Sequence, residues 1–226
     1  VPNDIRDRAA DRLHPAKRDR PLAAGRVTPA AAAVEAVALL ATAAALSSIG
    51  PWLLSACVAA YIVLQIGYTF YLKRKMIADV MCIAMGFVLR AAGAAAAIAV
   101  AISPWLFVCT LTICLFMGFC KRYNEVATLG EEARSHRPTL GGYSPWLLTH
   151  LITLSGAIAV IAFMLYATAP RTITNIGTNY LVYTLPMVIY GVFRFAMLSM
   201  MGTRDGPVDL ILHDRPFQLT VALWVA

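Results

Sequence analysis

The sequence predicts an all-α protein, a polytopic transmembrane helical bundle. Three observations predict it. Hydrophobic residues make up 60% of the 226-residue chain and charged residues 14%, against roughly 45–50% and about 25% in soluble globular proteins. The apolar residues fall in successive runs of about 20, the length that crosses a hydrocarbon core of roughly 30 Å. The cations collect in alternate connections between those runs. This composition excludes a disordered chain, a coiled coil, a disulfide scaffold and a soluble nucleic-acid binder.

Taken in order, the spans are expected near 29–49, 51–72, 76–102, 104–120, 145–169 and 178–201, with a seventh beginning near Pro216 and cut off at Ala226. Gly50-Pro51, Ser103-Pro104, Ser144-Pro145 and Ala169-Pro170 punctuate them. Three spans open with Pro-Trp, at Pro51-Trp52, Pro104-Trp105 and Pro145-Trp146. Proline suits the first helical position, and tryptophan suits the membrane interface. All five cysteines lie in apolar spans without CxxC or zinc-like spacing, so they read as core residues.

The net charge of +7 acquires its meaning from position. Residues 1–28 hold seven Lys/Arg, the 73–75 connection three, residues 121–144 four and residues 202–215 two. The intervening connections hold only Arg171, while Arg90 and Arg194 fall within spans. By the positive-inside rule the cationic side is cytoplasmic. The expected location is the plasma membrane, multi-pass, with the active site on the cytoplasmic face and no nucleic-acid partner.

That face carries an acidic motif. Residues 3–11 read NDIRDRAAD, and on a helix Asn3, Asp7 and Asp11 stack along one side, with Asp4 about 100° from Asn3. Three carboxylates and an amide within three turns repel unless a cation joins them. Hard oxygen ligands suit Mg²⁺, completed by waters and substrate phosphate oxygens. The candidate metal ligands are therefore Asn3, Asp4, Asp7 and Asp11, with Asp7 and Asp11 the candidate catalytic pair. Lys17 and Arg20 follow as candidate phosphate ligands.

The segment NDIRDRAADRLHPAKRDRPLAAG, residues 3–25, resembles the first signature of the UbiA superfamily of intramembrane prenyltransferases. The resemblance implies a UbiA-like bundle of nine spans with the acidic motif after the second. It further implies that residues 1–226 form one such domain, about seven spans, lacking the first two and the end of the last. A second Asp-rich motif is usual in the loop after the sixth span. Here that stretch reads KRYNEVATLGEEARSHRPTLGGYS, residues 121–144, and contains no aspartate. It offers Lys121, Arg122, Glu125, Arg134, Arg137 and Tyr143 instead, with Lys121 and Glu125 on one helix face.

KRxxE with a downstream arginine and tyrosine is similar to the branch that makes decaprenylphosphoryl-5-phosphoribose for cell-wall arabinan. YIVLQIGYTFYLKRKMIADV, GFVLRAAGA and LHDRPFQLTVALW resemble the same branch. The resemblance implies a Mg²⁺-dependent pentosyltransferase that moves 5-phosphoribose from phosphoribosyl pyrophosphate to a polyprenyl (decaprenyl) phosphate and releases pyrophosphate. Glu125 would accept ribose hydroxyls, and Lys121, Arg122 and Arg137 would hold phosphate oxygens. The alternative is an aromatic prenyltransferase of the same fold, against which the missing aspartates argue. A transporter or membrane scaffold would more often place polar groups in broken helices at mid-membrane. Homo-oligomerisation is left open.

The charges in or near spans complete the candidate set. Lys73, Asp79 and Arg90 are expected in one neighbourhood. Asp79 and Arg90 lie eleven residues apart, about 20° from alignment, with Gly86 and Gly93 near that face. An unpaired charge at depth costs at least about 2.5–3.5 kcal/mol, so Arg90 is expected to line the substrate cavity or pair with a neighbouring helix. Tyr61, Gln65 and Tyr68 form one polar stripe, and Tyr68, one turn from Lys73, is the substrate-contact candidate. Tyr183, Met187, Tyr190 and Arg194 form another.

Overall fold

The computed structural model describes residues 2–13, 18–129, 139–201 and 211–225. Among them every regular element is helical. Six helices are long and apolar enough to cross a membrane: Pro29–Ile49, Trp52–Phe70, Ala78–Ala97, Pro104–Thr128, Pro145–Thr168 and Tyr180–Met200. They coincide with the first six expected spans, and a multi-pass membrane protein follows. Two compact units divide the chain, residues 1–73 with 89–100 and residues 74–88 with 101–226.

The first unit contains α1 (Pro2–Leu13), α2 (Pro29–Ile49), α3 (Trp52–Phe70) and the later half of α4 (Ala78–Ala97). Thr28 starts α2 by accepting the Ala31 N–H at 3.2 Å, with proline at the first helical position. Gly50 closes α2, and Ser55 Oγ donates to Ser47 O at 2.7 Å, tying α3 back to it. The segment after α1 returns along that helix. Arg8 Nε donates to Leu22 O at 3.2 Å and Arg12 Nε to Ala23 O at 2.9 Å. Leu22 and Ala23 are buried, so the return path is fixed by packing as well as by hydrogen bonds.

The second unit contains the start of α4 and α5 (Pro104–Leu129), α6 (Pro145–Thr168), α7 (Pro170–Ile176), α8 (Leu185–Met200) and α9 (Arg215–Val225). Ser144 caps α6 by accepting the Leu147 N–H at 3.1 Å. Val80, Phe116, Phe119, Cys120, Tyr143, Leu148, Ile152, Val192 and Phe195 form the core. Phe195 stacks obliquely on Phe116 and Phe217, with centroids 5.7 and 6.3 Å away. All five cysteines are free.

Two expectations shift. The span expected to end at residue 120 continues as helix to Leu129. Lys121, Arg122 and Glu125 are good helix formers, so the apolar run stops while the helix does not. The close helix approach expected at Gly93 is ordinary, since a Cβ there would meet Cys57 and Leu54 at 3.5 and 3.6 Å. The tight positions are Gly156, whose Cβ would lie 3.2 Å from Phe116 and 3.3 Å from Val192, and Gly118, whose Cβ would collide with Val80 Cγ1. Val80 is β-branched and fully buried, so it has little room to yield. Gly118→Ala is therefore expected to destabilise the protein by about 1–3 kcal/mol, read as a lower unfolding temperature in detergent. An unchanged temperature would show that Val80 repacks freely.

Candidate active site

In the first unit the acidic face of α1 is matched by two cations brought from elsewhere in the chain. Arg20 Nη1 donates to Asp4 Oδ1 at 3.2 Å and to Asp11 Oδ2 at 3.1 Å. Lys73 Nζ, on the 3₁₀ turn Leu72–Arg74, donates to Asp7 Oδ1 at 2.5 Å. The returning segment pinned by Arg8 and Arg12 is what delivers Arg20. The Asp11 side chain is 8% exposed, whereas Asp7 and Asp4 retain 33% and 39%. Asp4 and Asp7 thus keep an open side.

This donor set fits a divalent cation. Two carboxylate oxygens already converge on one cationic nitrogen of Arg20, and hard oxygens of this kind suit Mg²⁺. Among the described residues no group of three His, Cys, Asp or Glu side chains makes a metal cage. An ion held here would take its remaining ligands from water and substrate oxygens, which is the usual habit of Mg²⁺.

In the second unit a buried chain of polar groups links α4, α5 and the turn before α6. Asp79 is fully buried. Its Oδ2 accepts from Arg122 Nε at 2.9 Å, and its Oδ1 accepts from the Tyr143 hydroxyl at 3.0 Å. Tyr143 Oη in turn accepts the Ile77 backbone N–H at 2.5 Å. Ile77 has φ 63°, a left-handed conformation that a β-branched residue rarely adopts. Arg122 is 3% exposed and also pairs through Nη1 with Glu125, whose side chain is 27% exposed. Burial pushes the Tyr143 phenol up to about 12; the Ile77 amide opposes that rise and the Asp79 charge adds to it. The phenol therefore stays protonated and donates to Asp79.

The charged candidates near the spans each have a defined partner. In the first unit Lys73 pairs with Asp7 and Arg90 with Tyr61, and in the second Asp79 pairs with Arg122 and Tyr143. Each charge is answered by a different part of the chain. Asp79 and Arg122 lie inside the second unit's packing, so neither presents an open face to a ligand. Arg90 Nη1 reaches Tyr61 Oη at 3.3 Å, with the guanidinium over the Tyr61 ring at 5.6 Å. It lines an apolar cavity of about 610 Å³ in the first unit together with Tyr61 and Gln65. Tyr68 is half-buried on α3, and Lys121 is exposed on α5. The Asn3 side chain, Lys17 and Arg137 lie outside the described part.

Sequence reasoning left Tyr143 and Asp214 without roles. Asp214 accepts from Arg194 Nε at 3.2 Å and from Nη2 at 2.8 Å, and it also accepts the Phe217 N–H that opens α9. The signal for both was the same. A charge in a span demands a partner, and Asp214 and Tyr143 were the polar groups left over near Arg194 and Asp79.

A model of the UbiA prenyltransferase family matches residues 1–208. The chain belongs to that family. It is also 31% identical to a decaprenyl-phosphate phosphoribosyltransferase of Corynebacterium glutamicum, over 99% of this chain and 68% of that one. The proteins of the same name from Mycolicibacterium smegmatis and Mycobacterium tuberculosis are 32% and 31% identical, over 99% of this chain and 72% and 73% of theirs. Transferase activity is the common property of these UbiA relatives. The acidic face of α1 and the Arg122-Glu125 pair both lie within the residues that the family model matches.

Proposed function

We propose that this protein transfers 5-phosphoribose from phosphoribosyl pyrophosphate to a polyprenyl phosphate, releasing pyrophosphate. The observation that carries the reading is the acidic face of α1, with Asp4, Asp7 and Asp11 balanced by Arg20 and Lys73. A diphosphate brought with Mg²⁺ would exchange these internal ion pairs for metal and phosphate contacts without a large change in net charge. The names of the relatives supply the substrate class, decaprenyl phosphate and a phosphoribosyl group.

In this reading Asn3, Asp4, Asp7 and Asp11 would hold Mg²⁺, and Arg20 and Lys73 would bind the phosphate oxygens. The ion supplies charge neutralisation at the diphosphate. Glu125 accepts ribose hydroxyls, while Lys121 and Arg137 are assigned to phosphate. An oxygen of the lipid phosphate attacks C1 of ribose as the bond from C1 to the pyrophosphate oxygen breaks. That nucleophile is anionic at neutral pH, so no strong base is needed. Orientation and leaving-group stabilisation carry the rate. The concentration of cations in alternate connections supports an enzyme working at the cytoplasmic face of its membrane, here assigned to the plasma membrane.

The test supplies the protein in detergent with radiolabelled phosphoribosyl pyrophosphate, a polyprenyl phosphate and Mg²⁺, then extracts lipid. Label is expected in the lipid fraction. An unlabelled lipid fraction, with prenyl transfer from a prenyl diphosphate to 4-hydroxybenzoate instead, would overturn the reading in favour of an aromatic prenyltransferase.

A further inference from the structure

Glu125 is the only partly exposed carboxylate or guanidinium in a set of groups that is otherwise closed from solvent. Behind it the bonds run in sequence from the Ile77 N–H to Tyr143, from Tyr143 to Asp79, from Asp79 to Arg122, and from Arg122 to Glu125. Tyr143, Asp79 and Arg122 are 4%, 0% and 3% exposed. Three buried polar side chains are costly to bury unless each is satisfied, and here each satisfies the next. A surface carboxylate beside an arginine ordinarily samples several rotamers. Glu125 does not have that freedom, because the guanidinium it faces is itself fixed by Asp79.

The network also has a fixed origin. Ile77 sits in the left-handed region, where a β-branched residue stays only when its surroundings hold it. Its N–H bonds Tyr143, which leaves the turn Thr139–Tyr143 through the 3₁₀ segment Leu140–Gly142. Gly118 and Val80 account for the closeness of the helices. Gly118 stands one turn before Arg122 on α5, and Val80 follows Asp79 on α4. The contact that only glycine permits therefore brings the two charges within bonding range.

We propose that Tyr143 and Asp79 are positioning residues, acting through Arg122 to fix the Glu125 carboxylate that recognises the phosphoribosyl donor. The proposal rests on the function proposed above, because it takes the ribose hydroxyls as the ligand of Glu125. It moves Asp79 and Arg122 from substrate contact to the support of a contact. Donor recognition then depends on Tyr143, although its hydroxyl is buried and bonds Ile77 and Asp79.

Two measurements test it. The first is a double-mutant cycle with Tyr143→Phe and Glu125→Gln in the labelled-lipid assay. Each single variant is expected to raise KM for phosphoribosyl pyrophosphate about tenfold, equivalent to about 1.4 kcal/mol, with KM for the polyprenyl phosphate unchanged. The double variant is expected to be no worse than Glu125→Gln alone, since Tyr143 has nothing left to position. Additive losses, or equal rises in both KM values, would overturn the proposal by showing a general structural role. The second measurement is hydrogen exchange of Tyr143→Phe, with Asp79→Asn as a companion variant. Faster exchange is expected in residues 74–79 and also in residues 121–129. Acceleration confined to 74–79 would overturn the relay whatever the activity shows. If the unsubstituted protein transfers no label while exchange is accelerated in both segments, the relay stands and the assigned donor is what fails.

Discussion

Asp7→Ala is expected to lower phosphoribosyl transfer by about 10³-fold at saturating Mg²⁺, far more than its effect on folding accounts for. Asp7 carries the cleaner experiment of the two candidate catalytic acids. Its side chain is one-third exposed and its ion-pair partner Lys73 lies 66 residues away on a turn. The Lys73 side chain is only 12% exposed, so losing the pair is expected to cost more than the roughly 0.2–1 kcal/mol of a solvent-exposed one and to lower the unfolding temperature somewhat. The catalytic loss has a different origin. On the proposed function the diphosphate would gain charge as its bond to C1 breaks, and an ion offsetting that charge would lose a carboxylate ligand. Asp11→Ala is expected to lower transfer as well, but it also removes a nearly buried carboxylate from Arg20 and so mixes stability into the result. Near-parental turnover of Asp7→Ala with Mg²⁺ in excess, read in the lipid-extraction assay, would remove the metal assignment.

The contrast between these two acids shows what was legible in the sequence. The spacing of Asp4, Asp7 and Asp11 is local, so their shared helix face follows from 3.6 residues per turn. The six long spans are equally legible, because each is a mostly apolar run of about 20 residues, long enough to cross a bilayer as a helix with its backbone bonded internally. Partner choice is not local. Lys73 reaches Asp7, Arg122 reaches Asp79 across 43 residues, and Tyr143 reaches Ile77 across 66. The Arg122–Asp79 pairing depends on the close approach at Gly118, and no periodicity in the sequence distinguishes that glycine from Gly86 or Gly93. Sequence reasoning therefore identified the charges that needed partners and, for Arg90, the kind of partner, a polar group on a neighbouring helix. It did not name Arg122 and Tyr143 as the partners of Asp79. The length of α5 was missed for a related reason, since hydropathy marks where the membrane stops rather than where the hydrogen bonding stops.

Arg122→Met is expected to cause the largest loss of stability of any substitution considered. It leaves the Asp79 carboxylate fully buried with, among the described residues, only the Tyr143 hydroxyl to answer it. Removing one member of a buried ion pair costs about 3–5 kcal/mol, a large part of the roughly 5–15 kcal/mol that holds a typical domain folded. The unfolding temperature in detergent is therefore expected to fall sharply, with reduced recovery from membranes. Replacing both members, as Asp79→Leu with Arg122→Met, removes the stranded charge and should recover most of the stability, since an apolar pair of similar volume often matches a buried ion pair. Recovery stays incomplete because the Tyr143 hydroxyl loses its acceptor, at about 1–3 kcal/mol. Activity is expected to part company with stability in this double variant. The thioether that replaces the guanidinium removes the Arg122 partner that fixes Glu125, so KM for the phosphoribosyl donor stays high in a protein that folds well. If Arg122→Met is as stable as the parent, the Asp79 carboxylate is not held as a buried ion by Arg122. If the double variant recovers both folding and donor KM, the pair serves packing alone and Glu125 is oriented by something else.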